Sequence, residues 1–119
     1  GMEDARARGR TYVNAGADGI MIHSRQKSPA EVLEFAKFHK VEFPDIPLVC
    51  VPSSFNEITA EELADAGFDV VIYANHLMRA SYKAMHETAT GILKNDRSME
   101  IEDKLISLKE ILKLIPGTE

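Results

Sequence analysis

The apolar and polar positions of this chain repeat one phrase. Ala15-Gly16-Ala17-Asp18 leads into Gly19-Ile20-Met21-Ile22-His23, and Ala66-Gly67-Phe68-Asp69 leads into Val70-Val71-Ile72-Tyr73-Ala74. Each copy reads as a helix closed by a glycine, then a short apolar strand, then a polar residue at the strand's carboxyl end. Glycine suits the left-handed cap, where a Cβ would clash. Gly16 and Gly67 lie 51 residues apart, too far for one βα unit. A further strand candidate, Pro47-Leu48-Val49-Cys50-Val51, stands between them. Consecutive βα units of this kind build a parallel sheet, so the pattern predicts an α/β fold.

Helical periodicity fills the gaps. Residues 3–15 predict a polar helix ended by Gly16, followed by a strand over 19–23. Ser28-Pro29-Ala30-Glu31 reads as a helix start, with Ser28 as cap, Pro29 in the first helical position and Glu31 completing a capping box. Val32, Leu33, Phe35, Ala36 and Phe38 then form an apolar helical face. Phe43 to Pro47 is a turn and 47–51 a strand. Thr59-Ala60-Glu61-Glu62 is a second capping box, opening a helix through Ala66, and 70–74 is the third strand. The longest helix is expected over about 76–94, with Asn75 as its cap. After the break at 95–98, Ile101, Leu105, Ile106, Leu108, Ile111, Leu112 and Ile115 predict one or two short helices before Pro116-Gly117. The whole chain, 1–119, reads as one domain without a linker.

This layout carries a packing problem. Three sequential parallel strands with right-handed crossovers place every helix on one sheet face. Yet the strands are apolar at nearly every position, the pattern of a sheet covered on both faces. Ile20, Ile22, Val49, Val51, Val71 and Tyr73 cannot all stay dry in a single copy. A closed (β/α)₈ barrel takes roughly 250 residues, about twice this chain. The sheet therefore calls for self-association, or for further strands.

Composition narrows the partners. Hydrophobic residues are 45% and charged residues 28%, enough for a core, and the net charge is −5 without a Lys/Arg cluster. Nucleic acid and anionic membranes both need a basic footprint, so neither is expected as a partner. No apolar run approaches the roughly 20 residues of a membrane span, and the acidic start does not resemble a secretory signal. Gly1 reads as a residue appended ahead of Met2. The one cysteine, Cys50, lies in an apolar strand and reads as a core thiol in a reducing, cytoplasmic setting.

Candidate chemistry gathers at the strands' carboxyl ends, where α/β folds place it. His23 either donates to an anionic ligand there or caps the strand end as a structural histidine. Ser24 is a second possible donor, and Arg25 and Lys27 are either anion contacts or a solvated loop. Pro52-Ser53-Ser54 offers two hydroxyls and main-chain amides. Asn75 and His76 follow the third strand. His39 and His86 read as surface residues. Asp18 and Asp69 sit at the amino ends of strands, where turn capping is the expected role. No strand end carries the carboxylates of a Mg²⁺ site, no glycine-rich phosphate loop follows a strand, and no zinc spacing occurs.

The run Tyr12-Val13-Asn14-Ala15-Gly16-Ala17-Asp18-Gly19-Ile20-Met21-Ile22-His23-Ser24 resembles the phosphoenolpyruvate mutase and phosphonopyruvate hydrolase branch of the isocitrate lyase superfamily. Pro47 to Pro52 is similar to that branch's next strand. Val71-Ile72-Tyr73-Ala74-Asn75-His76-Leu77-Met78-Arg79-Ala80 is similar to its last barrel strand and following helix. Glu102-Asp103-Lys104 and Ser107-Leu108-Lys109-Glu110-Ile111 resemble its C-terminal helices. His23 to Lys27 looks hydrolase-like, while Tyr73 to His76 and the ending Ile115-Pro116-Gly117 look mutase-like. The mutase is the favoured member.

The resemblance implies a partial TIM barrel: three parallel βα units, corresponding to strands six to eight of the family barrel, plus C-terminal helices. It implies interconversion of phosphoenolpyruvate and phosphonopyruvate, a C–P bond rearrangement in phosphonate metabolism, with Mg²⁺ in the complete enzyme. His23 matches the family histidine that contacts the phosphonyl group. Ser24, Ser53 and Asn75 are the other substrate-binding candidates. The family's terminal helix is exchanged between subunits, so 101–115 is expected to swap, and a homo-oligomer is expected through the sheet face and these helices. Nothing in this sequence matches the family's Mg²⁺-binding carboxylates, its gating loop with a lysine and an asparagine, or its phosphonyl-binding arginine, all of which precede strand six. The chain is therefore expected to hold no metal and no complete catalytic set and to be inactive alone; complementing a separately encoded N-terminal half is one alternative. Further alternatives are part of a hydrolase, or a non-catalytic self-associating βα module.

Overall fold

A computed structural model describes residues 1–115 and 117. The chain falls into two compact units, Gly1–Ala74 and Asn75–Glu119.

The first unit runs α1 (Met2–Asn14), β1 (Ile20–Ile22), α2 (Ala30–Glu42), β2 (Leu48–Cys50), α3 (Ala60–Asp65) and β3 (Val70–Val71). The strands form one parallel sheet in the order β1-β2-β3. Ile20 pairs with Leu48, Ile22 with Cys50, and Cys50 with Val71. The repeated glycines behave as the pattern requires: Gly16 has φ +93° and Gly67 φ +101°.

The sheet is two-faced. Ile20, Leu48 and Cys50 point into a core with Val32, Phe35, Ala36, Phe55, Leu63 and Phe68, and Ile22 and Val71 pack against it. Residues at the alternate register are more open, with Met21 59% and Val70 45% exposed. The helices thus cover one face and leave alternate strand positions more open, as three sequential parallel strands require.

Several local expectations need correction. The third strand stops at Val71 rather than 74, although the Ile72 N–H still donates to the Cys50 carbonyl at 2.9 Å. At the start of α2, Pro29 occupies the cap position and no side-chain cap bond forms there. Ser28 Oγ accepts from the Ala30 N–H, at 3.3 Å, and the Glu31 carboxylate is turned to Ser24. The Thr59–Glu62 capping box forms as expected. His39 is buried, not on the surface. It occupies the same stripe as Val32, Phe35 and Ala36, at the i+7 position. Asp69 caps no turn. Its carboxylate accepts from the Leu48 N–H across the sheet at 2.8 Å.

The second unit holds α4 (His76–Asn95), a 3₁₀ segment (Met99–Lys104) and α5 (Leu108–Leu112). Asn75 precedes α4 but makes no side-chain cap bond. Its Oδ1 accepts instead from Arg79 Nη1 at 3.4 Å. α4 ends at Asp96, whose φ of 54° is left-handed, and no α4 residue is buried. Ser107 and Glu110 form a capping box on α5. Pro116, read from sequence as the stop after Ile115, lies outside the described residues. Among the described residues no helix is long and apolar enough to cross a membrane.

Candidate functional site

The carboxyl edge of β1 opens on a cleft of 510 Å³. Its polar lining comprises Arg8 from α1, His23, Ser24, Arg25 and Gln26 from the loop after β1, and Glu31 from α2. Exposure alternates along the strand exit: Ile22 is half-buried, His23 exposed, Ser24 buried and Arg25 exposed. His23 therefore presents its imidazole to the cleft while Ser24 turns inward.

The charges are partly committed. Arg8 pairs with Asp4 at 3.2 Å. Ser24 Oγ donates to Glu31 Oε2 at 2.5 Å and accepts from the Gln26 N–H at 3.1 Å. Glu31 thus has one oxygen satisfied by a neutral hydroxyl. His23 and Arg25 are left to face the cleft with imidazole and guanidinium donors. Such a pair can orient an anion through charge-assisted hydrogen bonds. It supplies neither a nucleophile nor a general-base set.

The other candidates are placed differently. Ser53 is half-buried in the loop after β2 and does not line the cleft that holds His23 and Ser24. Its N–H donates to the Val51 carbonyl at 2.8 Å, so that amide is used within the turn rather than offered to a ligand. The following residue of note is one sequence reading did not single out: Phe55 is fully buried and pins this loop to the core. A lone aromatic flanked by serines and Asn56 gave no periodic signal. Asn75 opens the second unit, tied to Arg79 through side chain and main chain. Cys50 is buried, and burial pushes its thiol up, away from the reactive thiolate.

Among the described residues no group of three or more His, Cys, Asp or Glu side chains is placed to hold a metal ion. The donor set needed for Mg²⁺, several oxygen ligands around one point, does not arise from Asp18, Glu31 and Asp69.

The family model described as phosphoenolpyruvate phosphomutase matches residues 1–93. A phosphoenolpyruvate phosphomutase of Tetrahymena pyriformis is 36% identical over 114 residues, covering 96% of this chain and 37% of that protein. The crystal structure of a phosphoenolpyruvate phosphomutase from Streptomyces platensis subsp. rosaceus superimposes with a TM-score of 0.84 at 39% identity, over 95% of this chain and 38% of that one. A phosphonopyruvate hydrolase solved as a complex with oxalate and Mg²⁺ gives a TM-score of 0.81 at 40% identity, over 96% and 40%. The chain spans a little over a third of the length of these relatives. The match of the family model over residues 1–93 and of the relatives along nearly the whole chain leads to one conclusion: the chain belongs to the phosphoenolpyruvate phosphomutase family.

Proposed function

We propose that this chain forms the part of a phosphoenolpyruvate mutase-type barrel that carries strands six to eight and the terminal helices, and that His23 is its contact to the phosphonyl group of the substrate. The single observation that carries this reading is the place of His23: exposed in a cleft beside Arg25, at the carboxyl end of a parallel strand. Strand-end residues on that side of α/β barrels face the ligand. The imidazole would donate to a phosphonyl oxygen. The reaction is interconversion of phosphoenolpyruvate and phosphonopyruvate.

Mg²⁺ belongs to the complete family enzyme in this reading. The described residues of this chain supply no carboxylate set for it, so no step is assigned through it here. Catalysis by positioning and electrostatics needs the full constellation, and the chain alone is expected to be inactive. Exposed Met21 and Val70 on the sheet, Tyr73 just past it, and Leu108 and Leu114 in the terminal segment support a homo-oligomer, with 101–115 exchanged between subunits. The free core thiol of Cys50 is consistent with a cytoplasmic setting. A second reading, hydrolysis of phosphonopyruvate, is favoured by the run His23 to Lys27 and by the 40% identity to a hydrolase.

The test is ³¹P NMR of phosphonopyruvate with Mg²⁺, using the chain alone and then mixed with the preceding strands of a related mutase. The mutase reading expects a phosphoenolpyruvate signal from the mixture and none from the chain alone. Inorganic phosphate from the mixture would establish the hydrolase instead. Turnover by the chain alone would refute the inactive state.

A further inference from the structure

We infer that Glu31 is a positioning residue, and that its contact with Ser24 forms a latch that sets the direction of His23. This inference rests on the reading of His23 as the anion contact. Ser24 is only 6% exposed, at a place where the chain has already left β1 and has no strand partner. A buried hydroxyl in a loop needs partners. Ser24 has them on both sides: it donates to Glu31 Oε2 at 2.5 Å and accepts from the Gln26 N–H at 3.1 Å.

One side chain therefore ties the loop after β1 to α2. The acceptor is on the first turn of α2, a helix anchored in the core by Val32, Phe35 and Ala36. The donor amide is two residues along the loop. Ser24 is held inward against the rigid element, and its neighbour His23 must then face outward, as the alternation of exposure shows. A hydrogen bond to a carboxylate is stronger and shorter than a neutral one, which suits a latch. The Glu31 carboxylate is turned toward Ser24 rather than back to the helix start. Pre-organisation of this kind keeps a ligand-contacting side chain within the narrow tolerance that recognition needs.

The latch is tested on the whole chain by NMR. Amide exchange is read at Gln26 against the core amides of Ile20 and Cys50, and the His23 ring resonances are followed during titration with inorganic phosphate. In Glu31→Ala, and equally in Ser24→Ala, Gln26 protection is expected to fall about tenfold while the core amides hold, and the apparent phosphate affinity at His23 to fall with it. Glu31→Gln keeps an acceptor for Ser24 and is expected to rescue most of both. The double variant is expected to be no worse than either single one. Unchanged Gln26 exchange in the single variants, or a Glu31→Gln as defective as Glu31→Ala, would overturn the latch. The wild-type titration separates the two ideas: a His23 ring that ignores phosphate sinks the anion contact, and the latch with it as a device for function, whatever Gln26 does.

Discussion

Asp69 holds both main-chain polar groups of Leu48. Its Oδ2 accepts from the Leu48 N–H at 2.8 Å, and its own N–H donates to the Leu48 carbonyl at 2.9 Å. Leu48 is fully buried at the start of the central strand, where an unpaired amide is costly. A residue ahead of β3 thus starts the ladder that β2 and β3 share.

Asp69→Ala is expected to destabilise the fold by about 1–3 kcal/mol, because it strands the buried Leu48 N–H. Asp69→Asn keeps an acceptor and is expected to lose clearly less. Urea denaturation at neutral pH measures both. Equal stability of Asp69→Ala and wild type would show that water replaces the carboxylate without loss.

His39 gives the fold an acid limit. It lies between Phe35 and Phe43, with ring centroids 6.3 and 5.7 Å away, and its Nε2 has no hydrogen-bond partner. Burial holds its pKa below the usual histidine value of 6.5, and the charge of Asp69 opposes this only in part. The neutral form therefore belongs to the folded state. Above about pH 6.5 both states are neutral and the group is silent. As pH falls below that value the unfolded chain takes up the proton first, so stability declines until the folded pKa is passed. Glu62, whose carboxyl lies below its usual value through its bonds to Thr59, acts only at lower pH. The urea midpoint is expected to drop between pH 7 and 5.5, and His39→Leu to flatten that slope. A midpoint flat across this range in the wild type would refute the assignment.

Gly91 is the seat of Ile101, the one buried residue of the 3₁₀ segment. A Cβ on Gly91 would overlap Ile101 Cγ2. Gly91→Ala gains about 1 kcal/mol of helix propensity but meets an overpacking cost of about 1–3 kcal/mol. The Ile101 N–H, which donates to the Ser98 carbonyl at 3.0 Å, is expected to exchange faster in this variant. Unchanged exchange together with a raised melting temperature would mean that the segment shifts freely and that the seat is not specific.

The exposed apolar residues of α4 and the terminal segment set the expected oligomeric state. Leu77, Met78, Tyr82, Met85 and Leu93 are all more than 60% exposed on a helix without a buried residue. Clusters of exposed large apolar side chains mark association surfaces. Light scattering at several concentrations is expected to give a dimer or larger species. A monodisperse monomer at every concentration would contradict the proposed self-association.

The strands and glycine turns were legible because their signals are local: an apolar run, a cap glycine, and Thr59 three residues before Glu62. His23 was legible because position on a parallel strand already says which end faces a ligand. Partners distant in sequence were not legible. Nothing in the chain around Ser24 announces that Glu31, seven residues on, will take its hydroxyl and leave Ser28 without its capping box. Asp69 looked like a turn residue because its partner, Leu48, lies 21 residues earlier. His39 was misread although its i+7 spacing from Val32 fits the buried stripe, since polarity outweighed periodicity. The third strand came out short because only Val70 and Val71 find register partners on β2.

The most direct measurement is the ³¹P NMR rate of phosphonopyruvate turnover in the mixture with the preceding mutase strands, comparing wild type with His23→Gln. Loss of one donor to developing charge costs about 10²–10³ in rate. The account predicts a loss of that order in His23→Gln with the fold intact. Equal rates for the two chains would contradict the placement of His23 on the phosphonyl group, and with it the reading of the cleft as the substrate wall.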